Sequence, residues 1–358
     1  MTGLRICLIA SSRFPIAEPF AGGLEAHTHS LAAALIARGH EVTLFAAAGS
    51  DPALPAEALE VDDFLPTAGA RRDISAAPDV FMRDHHAYLS LMLDLQRTGH
   101  RRFDIVHNNC LHHLPVAMAP ALDIPLVTTL HTPPTPWLES AMRLAGAATT
   151  VIAVSEATAT QWADTIRAEV IRNGVDVREW AAGSGGTAAV WFGRIVPEKG
   201  AHLAIDAART AGMDLVLAGP RHDPSYFDQE IAPRLGPDVR YAGHLSGEPL
   251  RQLVRSSRVA VVTPCWDEPY GLVAAEAMAC GTPVAAFDRG GLAEIVTPGS
   301  GRLAAPGDVP ALAAAMLAAG RLPREGVRRH AETQLSIERM VDEYEDLYLS
   351  LTRMRAAA

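Results

Sequence analysis

Cysteine is scarce in this chain of 358 residues. The four, Cys7, Cys110, Cys265 and Cys280, lie far apart and form no Cys-x-x-Cys pair. That argues against a disulfide framework or a thiolate zinc site and leaves buried free thiols as the reading. Histidines gather loosely at His85, His86, His107, His112 and His113, but no His-Glu-x-x-His occurs. Asp-x-Asp is also absent, so no metal site is expected. Long apolar runs are missing. Runs such as residues 215–218 and 259–262 are far short of a bilayer span. The stretch after Met1-Thr2-Gly3-Leu4-Arg5 lacks the length and cleavage site of a secretory leader. A cytoplasmic location, with peripheral membrane association at most, is the expectation. Positive charge is in deficit: Lys plus Arg number 31 against 41 Asp plus Glu, for a net charge of −10. Such a chain repels polyanions, so nucleic acid is not an expected partner. Any phosphate it binds must be met by local cations or helix N-termini.

What is present is ordinary for a globular protein with a sizeable core: 49% hydrophobic and 20% charged residues, in a length that suits about two domains. Short apolar runs at 4–10, 41–46, 105–107, 126–130, 151–154 and 170–171 read as buried parallel strands. Helical periodicity lies between them at 24–38, 87–97 and 156–168. The rhythm breaks near Val175, where Gly183-Ser184-Gly185-Gly186-Thr187 reads as a flexible connection. It restarts with strands at 189–192, 214–218, 239–241, 260–263 and 283–287, and helices at 202–211, 249–256, 272–280 and 292–296. Residues 337–351 form a long amphipathic helix, with Met340, Tyr344, Leu347 and Leu351 on one stripe. The expected architecture is α/β: two Rossmann-like, doubly wound domains facing each other across a cleft. The boundaries are 1–180, completed by 337–358, and 181–336.

The densest chemical signal is Trp266-Asp267-Glu268-Pro269-Tyr270-Gly271-Leu272-Val273-Ala274-Ala275-Glu276. Pro269 and Gly271 open the backbone before a helix whose first N–H groups, at Leu272 and Val273, form an anion site at the edge of a parallel sheet. Glu268 in the loop and Glu276 on the helix suit sugar hydroxyls, because carboxylates accept from O–H and repel phosphate. The remainder of that helix is apolar or small, and a lone buried Glu276 would be costly. A hydrolase carboxylate pair is disfavoured: eight helical residues rise about 12 Å, beyond the roughly 5–9.5 Å that hydrolysis uses. A second signal is Phe192-Gly193-Arg194 followed by Lys199-Gly200. Arg194 supplies a planar fork and Lys199 a point charge at the same sheet edge, a pair that suits a diphosphate. In the first domain, Gly22-Gly23 starts a helix and permits close approach of a ligand, and Leu130-His131-Thr132 ends a strand. No Gly-x-Gly-x-x-Gly occurs, so a nicotinamide dehydrogenase is disfavoured.

Glu268 and Glu276 bracket seven residues. With Phe192-Gly193-Arg194, Lys199-Gly200, Asn173-Gly174-Val175-Asp176, Leu130-His131-Thr132, Gly22-Gly23-Leu24-Glu25 and Gly290-Gly291-Leu292-Ala293-Glu294-Ile295-Val296, they resemble the retaining glycosyltransferases of family 4, which have the GT-B fold. The resemblance implies transfer of a hexose-type sugar from a nucleoside diphosphate sugar, a UDP-sugar by preference and GDP-mannose as rival, to a hydroxyl acceptor. Arg194 and Lys199 would hold the diphosphate with the N–H groups of Leu272 and Val273. Glu276 would accept from the ribose, Glu268 from the transferred sugar. His131 would reach the sugar, and Gly23 would let the backbone approach the diphosphate. The resemblance also implies that the last helix crosses back onto the first domain. A nucleotide-sugar epimerase on the same fold is the alternative. The acceptor, a small molecule, glycan or lipid-linked compound, would meet loops 13–21, 71–86 and 133–137, whose few aromatics signal no extended carbohydrate platform.

With no carboxylate motif to hold magnesium and two cations to meet the diphosphate, sugar transfer is expected to persist in excess EDTA. Loss of turnover in the chelator, restored by magnesium or manganese, would contradict this.

Overall fold

The computed structural model describes residues 3–59, 64–75 and 77–357. Met1, Thr2, Ala76 and Ala358, on which parts of the reading above fall, lie outside the described residues. The chain divides into two compact units. The first comprises Met1–Val154, Ala159–Ile171 and Val341–Ala358; the second comprises Ser155–Thr158 and Arg172–Met340.

The first unit carries strands β1 (Arg5–Ile9), β2 (Glu41–Ala46), β3 (Ala56–Ala58), β4 (Ile105–Asn108), β5 (Leu126–Leu130), β6 (Thr150–Ala153) and β7 (Glu169–Val170). They form one sheet in the order β3-β2-β1-β4-β5-β6-β7, every pairing parallel. Strands β4 and β5 are buried throughout, so neither shows the alternation of a half-exposed strand, and the polar His107, Asn108, Thr128 and Thr129 within them are buried. The helix Ile337–Ala357 places Tyr344 and Tyr348 in this unit, fully buried. Their hydroxyls do not go unpaired. Tyr348 bonds His107 Nδ1 at 2.5 Å, Tyr344 bonds Thr129 at 2.9 Å, and His107 Nε2 lies 2.7 Å from Thr129. At the rim, Arg38 and His40 pair with Glu345, at 2.5 and 2.8 Å.

The second unit carries β8 (Ala189–Phe192), β9 (Leu215–Ala218), β10 (Val239–Tyr241), β11 (Val259–Val262), β12 (Val284–Phe287) and β13 (Gly301–Ala304). The sheet order is β10-β9-β8-β11-β12-β13, again all parallel. In sequence rank this is 3-2-1-4-5-6, with the winding reversed between β8 and β11. Its core includes Trp191, Leu217, Val261 and Phe287, closed by the helix Val309–Ala319 through Leu312 and Met316.

Two expectations are corrected. The stretch 183–187 is no loose connection. Gly183 donates to the Cys280 carbonyl at 3.2 Å and accepts from Arg324 Nε at 3.0 Å, while Gly185 donates to the Arg255 carbonyl at 3.1 Å. A Cβ on Gly183 would stand 2.5 Å from the Arg255 oxygen and one on Gly186 2.3 Å from that of Ser256. These glycines serve close packing, not flexibility. The helix expected over 156–168 ends at Trp162: the chain turns there, with the Thr165 and Ile166 N–H groups donating to the Trp162 carbonyl at 2.8 and 2.9 Å, and the buried indole donates its N–H to the Thr132 carbonyl at 2.8 Å.

Buried histidines concentrate in the first unit. Burial lowers His107 from 6.5 to about 3 and His27 to about 4, and lowers His112 and His131 as well. In the second unit, burial lowers His202. The folded first unit therefore keeps these rings neutral while the unfolded chain takes up protons below pH about 6.5. Its stability is fully present above that pH and falls as pH drops toward 4 and then 3. His27 and His107 each remove about 1.4 kcal/mol per pH unit across their windows. Hydrogen exchange at pH 7.5 and 5.0 is expected to show the first unit losing protection ahead of the second.

Candidate active site

Two loops leave the second unit's sheet where its winding reverses, and they are stitched together. After β8, Gly193 takes φ +148° and Gly200 φ +63°, on either side of Arg194 and the turn Pro197–Lys199. Gly200 is required twice over, since a Cβ there would also lie 2.3 Å from the Thr263 carbonyl oxygen. Thr263, just beyond β11, accepts the Trp191 indole N–H at 3.1 Å and sets its hydroxyl 3.0 and 2.9 Å from the Lys199 and Gly200 carbonyls. Cys265 N–H donates to the Glu198 carbonyl at 2.8 Å.

This stitching brings Lys199 to Glu268. Nζ donates to Glu268 Oε2 at 2.5 Å, and the Trp266 indole N–H donates to the same oxygen at 3.2 Å. The ammonium also sits 5.1 Å from the centre of the Trp266 ring. Glu268 Oε1 and the other two ammonium protons have no partner among the described residues, and neither has the half-buried Arg194 guanidinium. The site thus offers an unused acceptor beside unused cationic donors.

The loop onward to the helix is clamped from two sides. Gly291 N–H donates to the Glu268 carbonyl at 2.7 Å. A Cβ on Gly290, at φ +62°, would lie 2.2 Å from that same oxygen. Ser155 Oγ donates to the Pro269 carbonyl at 2.5 Å. Glu294 accepts the N–H groups of Glu156 and Ala157 at 3.0 and 2.8 Å and pairs with Arg172 at 3.1 Å, so its motif is an N-terminal helix anchor. Gly271, at φ +99°, then starts the helix Leu272–Ala279 without a side-chain cap. The N–H groups of Leu272 and Val273 have no partner among the described residues. Leu272, Val273 and Glu276 are the helix's only part-exposed positions, so its accessible face couples an N-terminal anion site to one carboxylate. The opposite end is closed: Arg324 donates to the Cys280 carbonyl at 3.0 Å and Arg328 to that of Ala279.

In the first unit, His131 follows β5 and Gly23 is the exposed first residue of the helix Gly23–Ala37. His131 Nε2 lies 2.9 Å from Asn109 Oδ1, and its ring meets that of His27 edge-on at 4.9 Å. Burial, then the neighbouring His27 and His107, hold His131 well below its ordinary pKa. It is a neutral imidazole that gives its Nε2 proton to Asn109 and leaves Nδ1 as an acceptor. The structure therefore joins Lys199, Glu268, Gly271, Leu272, Val273 and Glu276 through two stitched loops, starts Arg194 in the first of them, and places His131 and Gly23 in the other unit. Sequence reasoning missed Thr263, Trp266, Asn109 and His27 as supporting residues. Only Trp266, inside the acidic motif, carried a local signal.

Residues 21–179 match the family described as Glycosyltransferase Family 4, and residues 186–320 match Glycosyl transferases group 1. A glycogen synthase of Mycobacterium tuberculosis is 31% identical over 338 residues, covering 82% of this chain and 81% of that protein. The chain belongs to glycosyltransferase family 4. A phosphatidyl-myo-inositol mannosyltransferase of M. tuberculosis is 27% identical over 351 residues, covering 88% of this chain and 86% of that protein. Among solved structures, Anabaena HepE in complex with UDP and glucose aligns over 97% of this chain and 100% of its own, with a TM-score of 0.74 at 21% identity. That likeness shows the fold of the glycosyltransferase: GT-B, with two Rossmann-like domains.

Gly271→Ala forces a side chain into left-handed backbone and sets its Cβ 2.5 Å from Leu292 Cδ2. The variant is expected to lose about 1–3 kcal/mol of stability, read as a lowered denaturation midpoint with unchanged slope. A midpoint equal to that of the parent protein would show that the helix start is not constrained as described.

Proposed function

We propose that this glycosyltransferase moves a hexose, with retention of anomeric configuration and without a metal ion, from a UDP-sugar to a hydroxyl acceptor. The observation that carries the reading is the Lys199–Glu268 pair with its spare hydrogen-bonding capacity, beside the free Arg194 and the uncapped helix start. Arg194, Lys199 and the Leu272 and Val273 N–H groups bind the diphosphate and stabilise the negative charge that develops on it as the sugar departs. Glu276, on the accessible face of the same helix, accepts from the ribose hydroxyls. Glu268 accepts from the sugar through Oε1. His131 offers Nδ1 to a sugar hydroxyl, and Gly23 leaves its backbone open to the diphosphate.

The bond from the anomeric carbon to the phosphate oxygen breaks, and the acceptor oxygen bonds that carbon on the same face. The departing phosphate oxygen takes the acceptor proton. Nothing in this step needs a protein nucleophile. The UDP-bound state of HepE and the likeness to a glycogen synthase support a hexose donor. The likeness to a mannosyltransferase supports GDP-mannose as the second reading.

Calorimetry with UDP and GDP on variants tests the assignment. Arg194→Ala and Lys199→Ala are each expected to weaken nucleotide binding by about 1.5–3 kcal/mol, the worth of a hydrogen bond to a charged group. Glu276→Ala is expected to weaken it even without a sugar attached. His131→Ala is expected to lower transfer far more than nucleotide affinity, because its contact is made to the sugar. Parent-like binding in both cation variants would place the donor elsewhere.

A further inference from the structure

Six rings from three separate segments of the first unit meet beside its sheet edge, against the expectation that these loops hold no aromatic platform. The helix Asp79–Asp94 brings Phe81, His85 and Tyr88 along one stripe. The loop after β4 supplies His112 and His113, and the helix Pro136–Ala145 after β5 supplies Trp137. Four of the rings build a column, and Phe81 and His85 flank it. Trp137 stacks on His113 at 5.2 Å and 28°, His113 on His112 at 4.4 Å and 24°, and His112 on Tyr88 at 4.6 Å and 24°. The inner end is fixed, because the Tyr88 hydroxyl donates to the Ala10 carbonyl at 2.8 Å and accepts from Ser12 N–H at 3.0 Å. The outer end is open, with Trp137 63% exposed. Phe81 widens it at 5.9 Å from Trp137, and His85 at 6.1 Å from His113.

The column stands where ligands bind in parallel α/β sheets. Its loops follow β4 and β5 and its anchor follows β1, so it flanks the reversal of strand order between β1 and β4. The same edge carries His131. The composition suggests a metal, but stacked imidazoles direct their nitrogens side by side instead of toward one point, and no cluster able to hold a metal ion occurs among the described residues. A rigid indole face rimmed by imidazoles matches a different ligand. One face of a pyranose ring is a sheet of C–H groups, and its rim is a ring of hydroxyls that both donate and accept. The side chains of His85 and His113 have no hydrogen-bond partner among the described residues. Burial holds His113 below its ordinary pKa, so it presents one donor and one acceptor near neutral pH.

We propose that Trp137, His113, Phe81 and His85 form a subsite for a pyranose ring of a carbohydrate acceptor, seated with its C–H face on the Trp137 indole. The acceptor role rests on the transferase reading above; the binding of the ring does not. Saturation-transfer NMR on the full chain tests it, with maltotriose and chitotriose as probes, for the parent protein, Trp137→Phe and Trp137→Ala. Ring C–H protons of at least one probe are expected to receive saturation with the parent and with Trp137→Phe. Trp137→Ala is expected to bind that probe about tenfold more weakly or not at all, with an unchanged melting temperature. UDP affinity is expected to be the same in all three proteins. No saturation of either probe, or equal binding by Trp137→Ala, would overturn the subsite. So would loss of binding to phosphatidylglycerol vesicles in Trp137→Ala with saccharide binding intact, since the indole would then be a lipid contact. Saccharide binding through Trp137 in a protein that binds neither UDP nor GDP would uphold the subsite and remove the transferase reading.

Discussion

Winding reverses between β8 and β11 in the second unit, and neighbouring strands there send their following helices to opposite faces of the sheet. The two loops at that point must diverge, and a gap opens between them. Thr263 spans it by holding the Lys199 and Gly200 carbonyls, with the Trp191 indole fixing the hydroxyl from beneath. Once the loops are pinned, Lys199 has nowhere to go but toward Glu268. The ion pair is therefore a consequence of sheet topology and of the one hydroxyl that joins the two strand ends.

The helix that follows shows the same economy of residue types. Its two ends are treated oppositely: guanidinium groups saturate the last carbonyls, and the first N–H groups are left open by a glycine with no capping side chain. Positive charge at the far end suits the helix dipole, and the near end keeps its own for an anion. Burial of nearly every other position leaves Glu276 as the only charged group on the accessible face. The first unit meets its polar demands differently. The buried imidazoles of His107 and His131 are held below their ordinary pKa, so they serve as paired donors and acceptors, not as charges.

Much was legible in the chain alone. Parallel strands covered on both faces are rich in apolar and β-branched residues, and the expected strands 41–46, 126–130, 189–192 and 239–241 match the structure residue for residue. The Glu268–Glu276 spacing and the glycine before Leu272 are local, and a local pattern is enough to place a loop, a helix start and two carboxylates. The last strand, Gly301–Ala304, was not legible. Its Gly301 and Arg302 carry no strand signal, and it pairs because β12 offers it a free edge.

What only the tertiary structure decided has one common cause: partners distant in sequence. Lys199 and Glu268 are 69 residues apart, and either reads as a solvated charge until the sheet order brings them together. The glycines at 183–187 look like a hinge in sequence, because flexibility and close packing both call for a missing Cβ; the Arg255 and Ser256 carbonyls decide for packing. Tyr88, His112, His113 and Trp137 are scattered over three segments, each with one or two rings, and stack only because β1, β4 and β5 end side by side. The sequence by itself determined the elements and the residue types at their ends. Which of those ends face one another was settled by the order in which the strands pair, a long-range choice that no local pattern encodes.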